Sequence, residues 1–327
     1  IDYCMNKAAF QSQHNVSISG GTNNMRYFVS AGLFTQDGMF KQFNLTDDFN
    51  FDYKRYNYRA NLDFDISKTT LLSVNIGGRV ESKRTPESGE DQNQLFRKLY
   101  WAVPFASAGI VDGKYIKTNA DYVTKPGADG LESYYGKGFR NQTTNVLNLD
   151  LVLDQKLDFI TSGLSVKGTA SFSKNVYKNK SWNVSPYVYS KDADGAYVLK
   201  PRSSASLGLT QNGDEYQEYQ LQLNYNRSFG NHNITAMAMA LARKGFIERS
   251  GMNRISFDSE ILDQMNAGNT ANQSLNAYDS KTARASYMGR INYNYAQKYL
   301  VEFNLRRDAS ENFAPNKRWG TFASASL

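Results

Sequence analysis

Along most of this chain, apolar and polar residues alternate one for one in stretches of about ten, the period-2 pattern of a strand with one dry and one wet face. Tyr56, Tyr58, Ala60, Leu62, Phe64 and Ile66 stand against Asn57, Arg59, Asn61, Asp63 and Asp65. A one-residue slip there would exchange two aspartates and an arginine for apolar groups, so the register is fixed. The same pattern recurs in Val16–Ile18, Met25–Leu33, Leu72–Val80, Leu147–Leu153, Leu164–Phe172, Tyr219–Tyr225, Ala285–Tyr295 and Tyr299–Leu305, with Met288 and Leu300 as apolar exceptions on the wet side. The stretch Ile234–Arg243 is ambiguous, because Ala236, Ala238 and Ala240 compete with Met237, Met239 and Leu241 for the apolar face. With a last strand leading to Leu327, eleven strands are expected.

Both a soluble sandwich and a membrane barrel alternate in this way. Strand length points to the barrel, since about 9–11 tilted residues cross a bilayer. Aromatic placement agrees: Tyr293, Tyr295 and Tyr299 crowd a short turn, where an interfacial girdle sits. The connections decide between the two. Those at Gly20, Ser67, Leu157, Gly230 and Ala296 are short, those at Thr35, Ser82, Lys174 and Lys244 are long, and the two kinds alternate. Outer-membrane barrels have this asymmetry, with short periplasmic turns and long extracellular loops. The expected fold is therefore all-β, an antiparallel transmembrane β-barrel, with residues 1–327 forming part of a large plugged barrel of about 22 strands. Eleven strands alone would leave two unpaired edges in lipid, so the plug and remaining strands are expected outside this sequence. Both ends read as cut.

Composition narrows the chemistry. The chain has 327 residues, 40% hydrophobic, with 22 Tyr, 19 Phe and 6 Pro, as many long strands require. Mean hydropathy is −0.59, and no run approaches the ~18 apolar residues of a membrane helix. One cysteine, Cys4, excludes an internal disulfide and the usual cysteine-based zinc site. His14 and His232 both sit in turn-like contexts, so no metal site and no cofactor are expected. The net charge of +7 is spread among acidic residues rather than gathered into a stripe, which argues against nucleic acid as a partner.

No catalytic constellation emerges, and the chain is read as a non-enzyme. Asp63, Asp65, Asp150 and Asp154 share strand spacing and a facing, as lumen-lining groups would, with Arg59, Arg79, Arg284, Arg290 and Glu302 on the same wall. Loop aromatics are the candidates for substrate contact: Trp101, Tyr134, Tyr135, Trp182, Tyr187 and Tyr189 fall on the outer side, where rings stack on sugars or peptide side chains. Gln92–Val103, stopped by Pro104, has helical spacing within the long connection after Val80.

The stretch Arg306–Gly320, RRDASENFAPNKRWG, closely resembles the SusC/RagA-type TonB-dependent transporters of Bacteroidota-type outer membranes, whose pattern there is similar to RRDGSSRFGPNNRWG; Ala309 and Ala314 replace glycines. QHNVSISGG from Gln13, RYNYRANLDFDISK from Arg55, VDGKY at Val111–Tyr115 and GRINYNYAQKYL from Gly289 also look like that family and come in the expected order. The resemblance implies an outer-membrane active transporter importing oligosaccharides or peptides, powered by TonB with ExbB and ExbD and lidded by a SusD-like surface lipoprotein. Outer-membrane lipid and lipopolysaccharide are its implied surroundings. A siderophore or cobalamin receptor is the alternative within transporters, and a soluble or surface β-rich carbohydrate-binding module the alternative outside them.

Overall fold

The computed structural model describes residues 5–41, 51–87, 107–117 and 138–327. The strands are β1 (Gln11–Gly21), β2 (Met25–Asp37), β3 (Asp52–Asp65), β4 (Thr70–Pro86), β5 (Ser107–Val111), β6 (Lys114–Lys117), β7 (Phe139–Lys156), β8 (Leu164–Asn183), β9 (Val188–Lys191), β10 (Tyr197–Leu199), β11 (Ala205–Phe229), β12 (His232–Phe257), β13 (Gln273–Tyr295), β14 (Tyr299–Ser310) and β15 (Trp319–Ser326). Eleven of them form one antiparallel sheet in the order β1-β2-β3-β4-β7-β8-β11-β12-β13-β14-β15. Each strand pairs with its neighbour in the chain once the four short loop strands are set aside, the up-and-down order of a transmembrane β-barrel wall.

The register carries the two-faced pattern from strand to strand. Val74, Leu151, Ala170, Tyr219, Ala242, Ala285 and Ala309 lie opposite one another in a continuous row. One residue along each strand, Asn75, Asp150, Ser171, Glu218, Arg243, Arg284 and Ser310 form the matching row on the other face. Among the described residues nothing covers the first face: Tyr219, Leu221, Tyr287 and Ile291 are all more than half exposed. A continuous apolar surface on this scale is costly in water and favourable against hydrocarbon. Among the described residues no helix is long and apolar enough to cross a membrane.

The same register settles the facing of β12. Ala236, Ala238 and Ala240 oppose Tyr225, Leu223 and Leu221 on β11, and Ile291, Gly289 and Tyr287 on β13. The alanines therefore belong to the apolar face, and Met237, Met239 and Leu241, opposite Asn224, Gln222 and Gln220, belong to the polar one.

Several strands outrun their alternating stretches, which corrects all four long connections expected from the sequence; the one expected from Ser82 begins only after Pro86, where β4 ends. The region Thr35–Arg55 is partly strand, since β2 runs to Asp37 and β3 starts at Asp52; Lys174–Glu215 gives up its ends to β8 and β11, and the connection expected from Lys244 begins only after Phe257. The cause lies on the apolar face, where Phe172, Tyr219 and Ala242 give way to Lys174, Gln217 and Lys244 while the backbone ladder continues. The asymmetry survives. Connections 22–24, 66–69, 157–163, 230–231 and 296–298 are short, and 38–51, 87–138, 184–204, 258–272 and 311–318 are long.

At the turn 296–298, Ala296 and Gln297 both take positive φ, 50° and 58°, which side chains other than glycine rarely adopt. The Asn294 side chain accepts a hydrogen bond from the Gln297 amide at 2.9 Å and holds that geometry. The aromatics expected near the turn stack there, with Tyr295 and Tyr299 at 6.4 Å and His232 against Tyr295 at 4.8 Å.

The four short strands build a second sheet, β10-β9-β6-β5, out of two different long connections. The expected turn at Val111–Tyr115 is the β5–β6 hairpin turn, and β6 pairs in parallel with β9 through Tyr115–Val188 and Ile116–Tyr189. The helix expected over Gln92–Val103 lies outside the described residues.

Candidate functional site

Among the described residues the polar face is a wall on which some charges are paired and others, such as Arg243 opposite Arg284, are not. Arg26 on β2 reaches two aspartates of β3, at 2.5 Å to Asp65 Oδ2 and 3.8 Å to Asp63 Oδ2. Ser73 donates to Asp63 Oδ1 at 2.5 Å. Farther up the wall Arg79 pairs with Glu81 at 3.0 Å, and the Tyr53 hydroxyl donates to the same carboxylate at 3.1 Å. At the other end of the sheet a relay runs from Arg290 Nε to Asn304 Oδ1 at 2.7 Å, and from Asn304 Nδ2 to Glu302 Oε1 at 2.7 Å.

Asp150 lines a polar hollow of about 360 Å³ with Asn75, Lys167, Thr169, Gln220 and Gln222. Asp154 lies opposite Lys167 two residues along, and Arg59 is exposed between Ser30 and Gly77. Arg59, Asp63, Asp65, Arg79, Asp150, Asp154, Arg290 and Glu302 thus occupy one face of the sheet, spread over its width rather than gathered at a point. Separated carboxylates, several of them already held by arginines, suit a hydrophilic surface better than a general acid and base pair.

At the outer end the strand extensions make a small apolar core. Trp182 packs with Val184, Ala205, Leu207 and Phe257, edge to face with Phe257 at 4.8 Å. Its side chain is 2% exposed and packs the rim in this arrangement. Tyr187 differs. It is 39% exposed, with the Arg202 guanidinium 3.5 Å from its ring centroid and Glu260 Oε2 3.4 Å from its hydroxyl. Arg202 also pairs with Glu260 at 2.8 Å, which ties the connection 184–204 to 258–272.

Tyr189 lies on the loop sheet, edge to face with Tyr197 at 6.5 Å; Lys114 and Lys191 stand 5.0 and 5.1 Å from the Tyr197 ring. The Tyr197 hydroxyl donates to the Asp112 carboxylate, and that hydrogen bond raises the phenol's pKa above its ordinary value. Trp101, Tyr134 and Tyr135 lie outside the described residues.

Three polar groups carry no sign of their role in the sequence alone. Arg26 sits at a legible wet position of β2, but its aspartate partner Asp65 is 39 residues away. Glu87, 3% exposed, accepts from Arg140 Nε and Nη2 at 2.8 and 2.7 Å and from the Ser181 hydroxyl, clamping the outer ends of β4, β7 and β8. Lys167 in the polar hollow is the third, an ordinary alternating position until the fold sets it beside Asp150.

No family model matches the chain. It is 27% identical over 347 residues to the TonB-dependent receptor SusC of Bacteroides thetaiotaomicron, covering 98% of this chain and 31% of that protein. TonB-dependent receptor P3 of Formosa agariphila is 26% identical over 323 residues, covering 97% and 30%. Among solved structures, the RagAB peptide transporter superposes with a TM-score of 0.68 at 18% identity, covering 98% of this chain and 34% of that one. The chain thus spans about a third of the length of the proteins it matches. An up-and-down wall with one bare apolar face, short and long connections in alternation, and likeness along nearly its whole length agree: the chain has the fold of a β-barrel wall segment and is similar to TonB-dependent receptors of the SusC/RagA type.

Proposed function

We propose that this chain is part of a Bacteroidota-type outer-membrane transporter that imports oligosaccharides, energised by TonB with ExbB and ExbD and closed on the outside by a SusD-like lipoprotein. The observation that carries the reading is the two-faced wall. One face is continuous apolar surface for lipid, and the other is polar, with part of its charge paired along and between strands. In this reading the polar face is the lumen side, and a plug domain rests against it through many polar contacts of about 0.5–1.5 kcal/mol each. No single contact then holds the plug shut. Transport changes no covalent bond, and the role assigned to the wall is non-enzymatic.

Tyr187 and Tyr189, on the outer rim, are the described aromatics placed to meet cargo or lid. Peptide import is the second reading, favoured by the likeness to the RagAB peptide transporter. The test is deletion of the gene for the whole protein, with growth then measured on purified oligosaccharides, on peptides, and under limitation for chelated iron or cobalamin. Lost growth on one glycan, with growth on its monosaccharides intact, is the expected result. A defect confined to peptides selects the second reading, and one confined to the chelates overturns both.

A further inference from the structure

The apolar face ends abruptly on its outer side and gives way to basic residues. On β8 the positions Leu164, Val166, Gly168, Ala170 and Phe172 lead to Lys174; on β12 the run from Ile234 to Ala242 leads to Lys244; on β13 the run ends at Ala283 and then Lys281. The ten residue steps from Leu164 to Lys174, or from Ile234 to Lys244, run about 33 Å along the strand, which at a tilt of about 40° rises about 25 Å, the height of a membrane-embedded band. The lysines therefore stand at headgroup level. Pairing sets Lys174, Glu215, Phe246 and Lys281 in one row, with Gln217, Lys244 and Ala283 in the row beneath.

These rows border a hollow of about 490 Å³ lined by Glu215, Gln217, Lys244, Phe246, Lys281 and Glu311. Glu215 is already taken by Lys174 at 3.2 Å. Among the described residues neither Lys244 nor Lys281 has a carboxylate within ion-pair distance, and Lys281 Nζ stands 6.0 Å over the Phe246 ring. Just below, toward the membrane centre, Tyr287 stacks on Trp319 at 5.6 Å with Arg307 5.1 Å from the Trp319 ring, a pairing of aromatics and cation typical of an interface. At the hollow and its two rows Lys174, Lys244 and Lys281 stand against Glu215 and Glu311, three cations to two carboxylates, a local excess of one positive charge. One row farther out the face turns acidic, Glu248 opposite Asp279, so the basic zone is a single shallow belt.

We propose that this hollow binds the phosphate of a phosphorylated glycolipid headgroup in the outer leaflet. Lys244 and Lys281 supply the ammonium groups, the Gln217 amide donates to a phosphate or sugar oxygen, and Phe246, level with Lys281, lies against a sugar of the headgroup. The inference rests on the proposal that the apolar face lies in an outer membrane. Its specific content is the place and the chemistry: lipid phosphate, held on the outside of the wall, between β11 and β13.

The test uses the full-length protein purified in detergent, with affinity for a phosphorylated glycolipid and for its dephosphorylated form read by native mass spectrometry. A basic residue near a charged lipid surface contributes about fivefold in affinity, so Lys244→Gln with Lys281→Gln should weaken the phosphorylated lipid by roughly 25-fold. Lys244→Arg with Lys281→Arg should retain it, which separates lost charge from a disturbed fold. Wild-type protein should bind the dephosphorylated lipid as weakly as the Gln variant binds the phosphorylated one. Equal affinity of wild type and Gln variant within twofold overturns the proposal. So does full displacement by millimolar inorganic phosphate, which would make the hollow a site for free anions. A protein that stays in solution without detergent overturns this proposal and the membrane reading together, whereas failure of the lysine arm alone leaves the membrane reading standing.

Discussion

Replacing Trp182 with alanine separates two roles for one residue, packing the rim and contacting cargo. A buried tryptophan covers 150–250 Å², and about 170 Å² of that is lost on truncation to alanine; at about 25 cal/mol per Å² the change costs roughly 4 kcal/mol, within the ~3–5 kcal/mol typical of such truncations. The cost falls on the outer extensions of β8, β11 and β12, because the ring's apolar partners, Val184, Ala205, Leu207 and Phe257, all lie there. The hydrogen-bonded ladder nearer the short turns does not depend on it. Amide exchange in the solubilised full-length protein should therefore accelerate by about 150-fold to several thousandfold around Ser181–Val184, Ala205–Leu209 and Arg254–Phe257, with no change in the hairpin at 230–231. Cargo affinity measured by calorimetry in the same variant should change only as far as the rim loosens. Unchanged exchange together with lost affinity would refute the packing account and give Trp182 back to the ligand.

Facing and titration each yield a further expected outcome. Ala238→Arg places a cation on the lipid side near mid-membrane and should destabilise the barrel by about 2–4 kcal/mol, whereas Met237→Arg, one residue away on the polar side, should be close to neutral; denaturant titration with heat-modifiable gel mobility reads both, and equal effects would mean that the β12 facing is wrong. The Tyr197 phenol has a raised pKa because it donates to Asp112. Its neutral form is the one bound, so the link between β10 and the β5–β6 turn is fully present below the ordinary tyrosine pKa of 10.0 and is lost as pH rises through the higher folded value. Asp112→Asn should bring the ionisation of Tyr197 back down, seen by tyrosine-labelled NMR, and an unshifted titration would mean that the two groups do not interact in solution.

The faces were legible in the sequence wherever both faces carried a signal. In β3, aspartates and arginine alternate with tyrosine, leucine and phenylalanine, so a single register satisfies both solvents. In β12, alanine on one side and methionine on the other carry nearly equal weight, and only the neighbours Leu221, Leu223 and Tyr287 fix the choice. The strand extensions were illegible for a related reason: beyond Lys174 and Lys244 both faces meet water, so the alternation fades although the backbone still pairs. The loop sheet gave no local sign at all. Its parallel link joins Tyr115 to Val188 across the whole of β7 and β8, and such a contact leaves no period in either segment. Trp182 read as a loop aromatic because Val184, Leu207 and Phe257, which bury it, come from three places in the chain.

In the proposed transporter, the pairing along the polar face bears on how a plug could move. Arg26 with Asp63 and Asp65, Arg290 with Asn304 and through it Glu302, and Arg306 with Asp308 at 2.6 Å already use part of one another's hydrogen-bonding capacity. A wall of unpaired charges would bind a complementary plug tightly and release it slowly, since breaking a desolvated charge pair costs several kcal/mol. A wall whose charges are internally matched and half exposed offers only water-exchanging contacts, each near the bottom of the hydrogen-bond range. The polar hollow at Asp150, Lys167, Gln220 and Gln222 fits that account, because its amides can trade a plug contact for water at little cost. Rigidity then comes from the backbone ladder, which no side-chain exchange disturbs, and mobility from side chains that lose little when the surface facing them leaves.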